Sequence, residues 1–247
     1  MNQIAIISDI HGNIPALNAV LEDIKVRKID KIICLGDLAG KGPNSAEAVD
    51  MVRQHCQVVL KGNWDYYLAD EDPLDSLNPS NYWHQQLLGE ERLKYMKNLP
   101  LYVEFYLSGK LVRLCHASPN DLFHRVYQHS ALVELLKLFE ETPSLNKKAD
   151  IVGYGDIHGA YINYFEDKTL FNVGSVGNPL DIPQAAYTIL EGKLDSKILA
   201  PYSITIVRVP YDIDKAINHA ISSDMPDLEE YIKELQTAVY RKKLSKE

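Results

Sequence analysis

The first third of the chain alternates two hydrophobic periodicities, and that alternation restricts it to a layered α/β fold. Ile4–Ile7 and Ile32–Leu35 are short, largely β-branched runs of the kind that forms strands buried on both faces of a parallel sheet. Between them Ile14, Leu17, Val20, Leu21 and Ile24 recur at helical spacing. Pro15 stands near the helix start, where its missing N–H does no harm. A second helix through Ala46, Val49 and Val52 leads to a third strand at Val58–Leu60. Strands that alternate with helices in this way pack as layers, helices on sheet.

Farther along, Trp83 to Tyr95 reads as a helix that stops before Leu99-Pro100. Strands then dominate: Leu101–Leu107, Leu111–Cys115 after the turn at Ser108-Gly109, Ile151–Val152, Tyr161–Phe165, Thr169–Asn172, Ala186–Leu190 and Ile204–Val209. A helix is expected over Ala131–Phe139, and two more over Asp212 to about Ser222 and Asp227 to about Leu244. The polar stretch Asp70–Asn81 is expected to be a mobile loop. No internal repeat or low-complexity linker interrupts the pattern. The expectation is therefore one domain over residues 1–247, with C-terminal helices from about residue 211.

Composition excludes several classes of function. Of 247 residues, 46% are hydrophobic and the net charge is −8, which is ordinary globular composition. A protein that grips duplex nucleic acid needs a basic stripe, and no block of Lys or Arg precedes Arg241-Lys242-Lys243, which reads as the basic end of a helix. The three cysteines, Cys34, Cys56 and Cys115, form no CxxC pair, so a cysteine-rich zinc site is excluded. Cys34 and Cys115 sit in apolar runs and read as small buried hydrophobes. No apolar run reaches about 18 residues, and no basic region followed by a cleavable apolar stretch opens the chain. A cytoplasmic protein with no membrane partner and no duplex partner is the expectation.

The polar residues fall at strand ends. Ser8-Asp9-Ile10-His11-Gly12-Asn13 follows the first strand and Gly36-Asp37-Leu38 the second. Lys61-Gly62-Asn63-Trp64-Asp65, Cys115-His116-Ala117-Ser118-Pro119 and Gly153-Tyr154-Gly155-Asp156-Ile157-His158-Gly159 close later ones. Each cluster taken singly has a structural explanation: Asp9 as a helix cap, Asn63 as a turn residue, His116 as a hydrogen-bonded core histidine. Five such clusters in order, each joining Asp, Asn or His to a turn-forming glycine, are not explained by capping. In α/β sheets the crevice outside the carboxyl ends of the strands is where ligands bind.

In this order Asp-x-His, Gly-Asp, Gly-Asn-x-Asp, His and Gly-x-x-His resemble the calcineurin-like metallophosphoesterase superfamily, and its small bacterial members above all. Gly40-Lys41-Gly42-Pro43, His116-Ala117-Ser118-Pro119 and Asn172-Val173-Gly174-Ser175-Val176-Gly177-Asn178-Pro179 extend the likeness, which runs from about Ile4 to Pro210. The resemblance implies a four-layer αββα sandwich of two mixed sheets flanked by helices, with two metal ions at the strand ends. By motif match Asp9, His11 and His158 hold the first metal, Asp37 bridges, and Asn63 and His116 hold the second. A bridging carboxylate keeps two cations about 3.5–4 Å apart, where they clamp both oxygens of an in-line displacement.

Two positions depart from the family pattern. Asp156 stands where the first His of Gly-His-x-His is usual, and is expected to ligate the second metal, since Asp suits hard cations. That set of two carboxylates, an amide and an imidazole favours Mn and/or Fe over Zn. Trp64 stands where many members carry the histidine that acts as general acid. His116 and His84 are the remaining catalytic candidates, with His124 and His129 near Arg125 as weaker ones. Trp64, Asn63, Arg125 and Asn178 are the candidates for contact with substrate, and the loop Asn172–Pro179 is expected to shape the site around a phosphate. The expected activity is hydrolysis of phosphodiester or phosphoanhydride bonds in small nucleotide-type substrates, nucleoside or dinucleoside polyphosphates foremost. A Ser/Thr protein phosphatase, or a catalytically silent binding protein on the same fold, is the alternative.

Overall fold

The computed structural model describes residues 1–69, 79–143 and 146–240. In chain order the elements are β1 (Asn2–Ile7), α1 (Ile14–Val26), β2 (Lys31–Cys34), α2 (Ser45–His55), β3 (Val58–Val59), α3 (Asn63–Ala69), α4 (Pro79–Lys97), β4 (Tyr102–Leu107) and β5 (Lys110–Cys115). They continue with α5 (Leu132–Lys137), β6 (Ile151–Tyr154), β7 (Tyr161–Phe165), β8 (Lys168–Asn172), β9 (Ala185–Gly192), β10 (Ser203–Val209), α6 (Ile213–Ile221) and α7 (Leu228–Thr237).

The strands form two mixed five-stranded sheets, ordered β10-β9-β1-β2-β3 and β4-β5-β6-β8-β7. Period-two alternation along β1 shows why the layers form. Ile4 and Ile6 face the second sheet and share a buried core with Val112, Leu114, Ile151 and Phe171. Ala5 and Ile7 face the opposite way, into a core with Leu17 and Val20 of α1, Val49 and Val52 of α2, and Met96 of α4. On the far side Cys115, Val152 and Tyr154 pack under Leu135 of α5. The result is the expected sandwich, helices outside two facing sheets, and α6 and α7 add a small satellite core through Ala216, Ala220, Tyr231 and Leu235. The described cysteines are unpaired, with Cys34 and Cys115 buried. Among the described residues no helix is long and apolar enough to cross a membrane.

The elements differ from expectation in three places. Helix α3 was not assigned from the sequence; it begins at Asn63, soon after β3. Helix α4 starts at Pro79 and includes Ser80 and Asn81, which were expected in the mobile loop, while 70–78 lie outside the described residues. Gly89, at φ 67 and ψ 168, breaks its helical path midway. Helix α7 ends at Thr237 rather than near Leu244, because Ala238 turns left-handed at φ 53 and returns its N–H to the Glu234 carbonyl at 2.9 Å. The basic run expected at its end lies outside the described residues.

Candidate metal centre

Parallel pairing brings the ligand-bearing turns together. β1 pairs parallel with β2 and β2 with β3, so the turns carrying Asp9, Asp37 and Asn63 leave the same edge of one sheet. β5 pairs parallel with β6, which does the same for His116 and Asp156 in the other. Each edge is tied within itself by a backbone hydrogen bond, Asp9 N–H to Gly36 O at 3.0 Å and Gly155 N–H to His116 O at 2.8 Å, and the two edges meet where Asp156 N–H donates to Asp9 Oδ2 at 3.2 Å.

The backbone of these turns is strained. Asp9, His11, Asp37, Asp156 and His158 all lie at positive φ, between 47 and 63°. Asp and His tolerate that region better than most residues, yet each such position costs on the order of 1–3 kcal/mol and persists where the surroundings over-determine it. Five in the turns where the two sheet edges meet point to a functional site. Asp65, in the first turn of α3, helps fix two of the turns. Its carboxylate accepts from Asp37 N–H at 2.8 Å, Leu38 N–H at 3.0 Å and Gly62 N–H at 2.8 Å. Burial, and then the neighbouring Asp37, push its carboxyl up to about 7. Gly62 has no room for a side chain, since a Cβ there would stand 2.1 Å from Asp37 Oδ1.

Asp9, His11, Asp37 and His158 converge so that one atom from each lies within 4.8 Å of all the others, and all four are buried. The imidazoles are aimed by carbonyls: His11 Nδ1 faces Ala39 O at 3.3 Å, His158 Nδ1 faces Asn178 O at 2.5 Å, and His116 Nδ1 faces Leu35 O at 3.1 Å. Donation through Nδ1 leaves Nε2 as an acceptor, the tautomer of a metal-ligating histidine. These Nε2 lone pairs then meet one another and carboxylates. His11 and His158 lie 3.2 Å apart at Nε2, and His158 Nε2 is 3.1 Å from Asp9 Oδ1. Asp37 turns Oδ2 to His11 at 3.5 Å and Oδ1 to His116 at 3.5 Å. Among the described buried atoms Asp9 Oδ1 and His116 Nε2 have no hydrogen-bond partner. Acceptors crowded around a common point and left unsatisfied fit a cation, and the donor set of carboxylate and imidazole is one that transition metals take.

Electrostatics agree with the geometry. Burial raises the Asp9 carboxyl, but His158, His116 and His11 outweigh it and hold Asp9 below the usual carboxylate range. Burial, with His158 and Lys41, holds the His11 imidazole well below its ordinary value and so neutral, ready to ligate. His116 is the reverse: burial lowers it, but Asp37, Asp9 and Asp156 push it up to about 10. The carboxylates call for a positive charge at that nitrogen, which a proton or a metal ion supplies.

Asp156 lies beside this set, its Oδ1 4.0 Å from His116 Nε2. Asn63 Nδ2 donates to Oδ1 at 2.6 Å, and Arg125 grips both oxygens, Nε to Oδ2 at 2.9 Å and Nη2 to Oδ1 at 2.6 Å. A cleft of about 650 Å³ opens over the centre, lined among others by Asp37, Asp156, His158, Trp64, Arg125 and Tyr127, with Lys41 and Tyr240 on its wall.

Other expected residues are placed differently. His84 is buried, with Nδ1 2.9 Å from Ser45 Oγ and its ring edge-on to Trp64 and Trp83. It is not among the residues lining the cleft, and burial lowers it to about 4, so it supports Trp64 rather than reaching a substrate. Asn178 is fully buried; its side chain accepts from Lys41 Nζ at 2.7 Å and donates to Glu234 Oε2 at 3.1 Å. Its contribution is to hold Lys41 and, through its carbonyl, His158. The loop Asn172–Pro179 makes a close approach to the turn after β1, Gly177 N–H to Asp9 O at 2.9 Å. A Cβ on Gly177 would sit 1.8 Å from Ile10 O. His124 pairs with Glu134 at 3.2 Å and His129 is exposed. Lys41, Asp65 and Glu234 were not among the expected site residues. The first two lie inside quoted motifs, but Glu234, far along the chain, carries no local signal.

The chain matches the Calcineurin-like phosphoesterase superfamily domain over residues 2–195. It is 36% identical to the uncharacterized protein MJ0912 of Methanocaldococcus jannaschii over 242 residues, covering 92% of this chain and 95% of that one. It superimposes on the crystal structure of a metallophosphoesterase from Sphaerobacter thermophilus with a TM-score of 0.76 at 25% identity, covering 96% of this chain and 99% of that one. The hypothetical protein PH1004 from Pyrococcus horikoshii shares the fold, with a TM-score of 0.77 at 20% identity over 95% of this chain and 98% of that one. The strand-end Asp and His cluster, the paired mixed sheets and the sequence agree, and the chain belongs to the calcineurin-like phosphoesterase superfamily.

Proposed function

We propose that this protein hydrolyses phosphodiester or phosphoanhydride bonds of nucleotide-type substrates, nucleoside and dinucleoside polyphosphates foremost, using Mn and/or Fe at two adjacent positions. The observation that carries this reading is the cleft itself. Acidic and imidazole ligands form its floor, the cations Lys41 and Arg125 stand beside them, and the aromatic side chains Trp64, Tyr127 and Tyr240 line the rest. A planar base with a polyphosphate chain needs that combination of π-faces and positive charge.

Asp9, His11 and His158 would hold the first cation, Asp37 would share an oxygen with each, and Asn63, His116 and Asp156 would hold the second. Cations there would supply Lewis-acid polarisation of the phosphoryl group and offset its negative charge. The protein's own side chains do the rest. The Arg125 fork matches two phosphoryl oxygens. Trp64 presents its ring to the cleft and excludes water from the floor. His158 is the one histidine among the described residues lining the cleft, and its Nδ1 is committed to the Asn178 carbonyl. No histidine is therefore poised to hand a proton to the leaving group, which favours substrates whose leaving group needs none.

The test is turnover of purified protein, loaded in turn with Mn²⁺, Fe²⁺ and Zn²⁺, on a panel of nucleotides, with Asp37→Ala alongside. Mn or Fe should give the higher rate on a polyphosphate, and Asp37→Ala should lose both metal and activity. Near wild-type turnover in that variant, or activity with Zn alone, would overturn the reading.

A further inference from the structure

Asp156 is already saturated on the oxygen that faces the centre. Oδ1 accepts from Asn63 Nδ2 and from Arg125 Nη2, both at 2.6 Å, and still lies 4.0 Å from His116 Nε2. A cation placed between His116 and Asp156 would meet the guanidinium on the same oxygen, where the two positive charges repel each other. Each therefore weakens the hold of the other on that oxygen.

The structure favours departure of the arginine. Asp156 is held by its left-handed backbone at φ 63 and by its N–H, which donates to Asp9 Oδ2 at 3.2 Å. Its side chain is 1% exposed, whereas that of Arg125 is 41% exposed, on the loop between β5 and α5, and already borders the cleft. We propose that Arg125 and a metal ion compete for Asp156, so that filling the second metal position turns the guanidinium onto the phosphate of the substrate. In the metal-free protein Arg125 then serves as a surrogate cation that keeps a buried carboxylate paired, since an unpaired one is strongly unfavourable. On loading, the same group becomes the specificity residue for the phosphoryl oxygens.

Linkage follows. Phosphate offers Arg125 an alternative partner, so phosphate should tighten the second cation and the second cation should tighten phosphate by the same factor. The inference rests on the reading of Asp156 as a ligand, and the experiment separates the two.

Mn²⁺ binding to the chelator-treated protein is measured by calorimetry, with and without inorganic phosphate, for wild type, Arg125→Ala, Arg125→Gln and Asp156→Asn. Both Arg125 variants should bind the weaker Mn²⁺ about five-fold more tightly or better, the size of a modest coupling, and phosphate should tighten it by a smaller factor than in wild type. Unchanged or weaker second-site affinity in both variants would overturn the competition. Asp156→Asn should lose the second site; two sites of wild-type affinity in Asp156→Asn would overturn the ligand reading itself, and the competition with it.

Discussion

His11 and His158 point their Nε2 atoms at each other across 3.2 Å, each with its Nδ1 turned to a backbone carbonyl. A buried contact between two acceptors is unfavourable, and a cation between them converts it into ligation. The metal-free protein should therefore be less stable than the loaded one. Metal at a hundred times its Kd contributes about 2.7 kcal/mol, which for a chain of this size raises Tm by roughly 5–10 °C. Calorimetric melting with Mn²⁺ and with chelator should show that rise in wild type and lose most of it in His158→Ala. Equal melting in both conditions would contradict the assignment of this pair.

Gly62→Ala should damage the centre without replacing any of the candidate ligands. The added methyl would stand 2.1 Å from Asp37 Oδ1 and 2.3 Å from its backbone nitrogen, so Asp37 must shift. Overpacking of this kind costs about 1–3 kcal/mol. Metal stoichiometry should fall together with Tm. Full metal content in a folded Gly62→Ala protein would show that Asp37 can relax without losing its place.

How far the centre was legible depended on range. The turns after β1 and β2 announced themselves because an apolar run, an Asp or His and a glycine are adjacent in sequence, and the structure brings Asp9, His11, Asp37 and His158 together. Helix α3 was missed because seven residues, Asn63–Ala69, with only Leu68 as a buried apolar side chain, carry no helical period. Asp65 stands inside a quoted motif, but its role is not legible there, because two of its partners, Asp37 and Leu38, are 28 and 27 residues away. The pairing of Arg125 with Asp156 spans 31 residues, and nothing local distinguishes that arginine from a solvated one. Asn178 was expected to meet substrate, but the folded chain gives its side chain to Lys41 and Glu234 instead.

His84 predicts an acid limb of stability. Burial holds its folded-state value near 4, against 6.5 for an ordinary histidine. The native state thus binds fewer protons than the unfolded chain between those values. The contribution is complete above pH 6.5 and is lost as pH falls toward 4, by up to about 3 kcal/mol. His84→Gln, which cannot be charged, should flatten the dependence of denaturant midpoint on pH across that window. The same slope in wild type and variant would place the titration elsewhere.

Trp64 predicts which bonds this site can break. It directly follows Asn63, its backbone N–H donates to Asp37 Oδ1 at 2.8 Å, and its indole stands edge-on to His11 with ring centres 5.9 Å apart. The ring thus occupies the floor of the cleft beside the metal set and offers no titratable proton. A missing general acid costs a factor of about 10²–10⁴, but only where the departing oxygen needs protonation. A phosphate leaving group has its second pKa near 6 and departs as an anion at neutral pH. An alkoxide, from an alcohol about as weakly acidic as water, does not. With equal metal loading, kcat/KM for a dinucleoside polyphosphate should exceed that for a phosphoserine peptide by about the general-acid factor of 10² or more, with a nucleoside monophosphate well below the anhydride. Trp64→His should narrow the gap by raising the rate on the alkyl monoester while leaving the anhydride rate nearly unchanged. Comparable kcat/KM for the phosphopeptide and the anhydride in wild type would defeat the argument and favour a protein phosphatase.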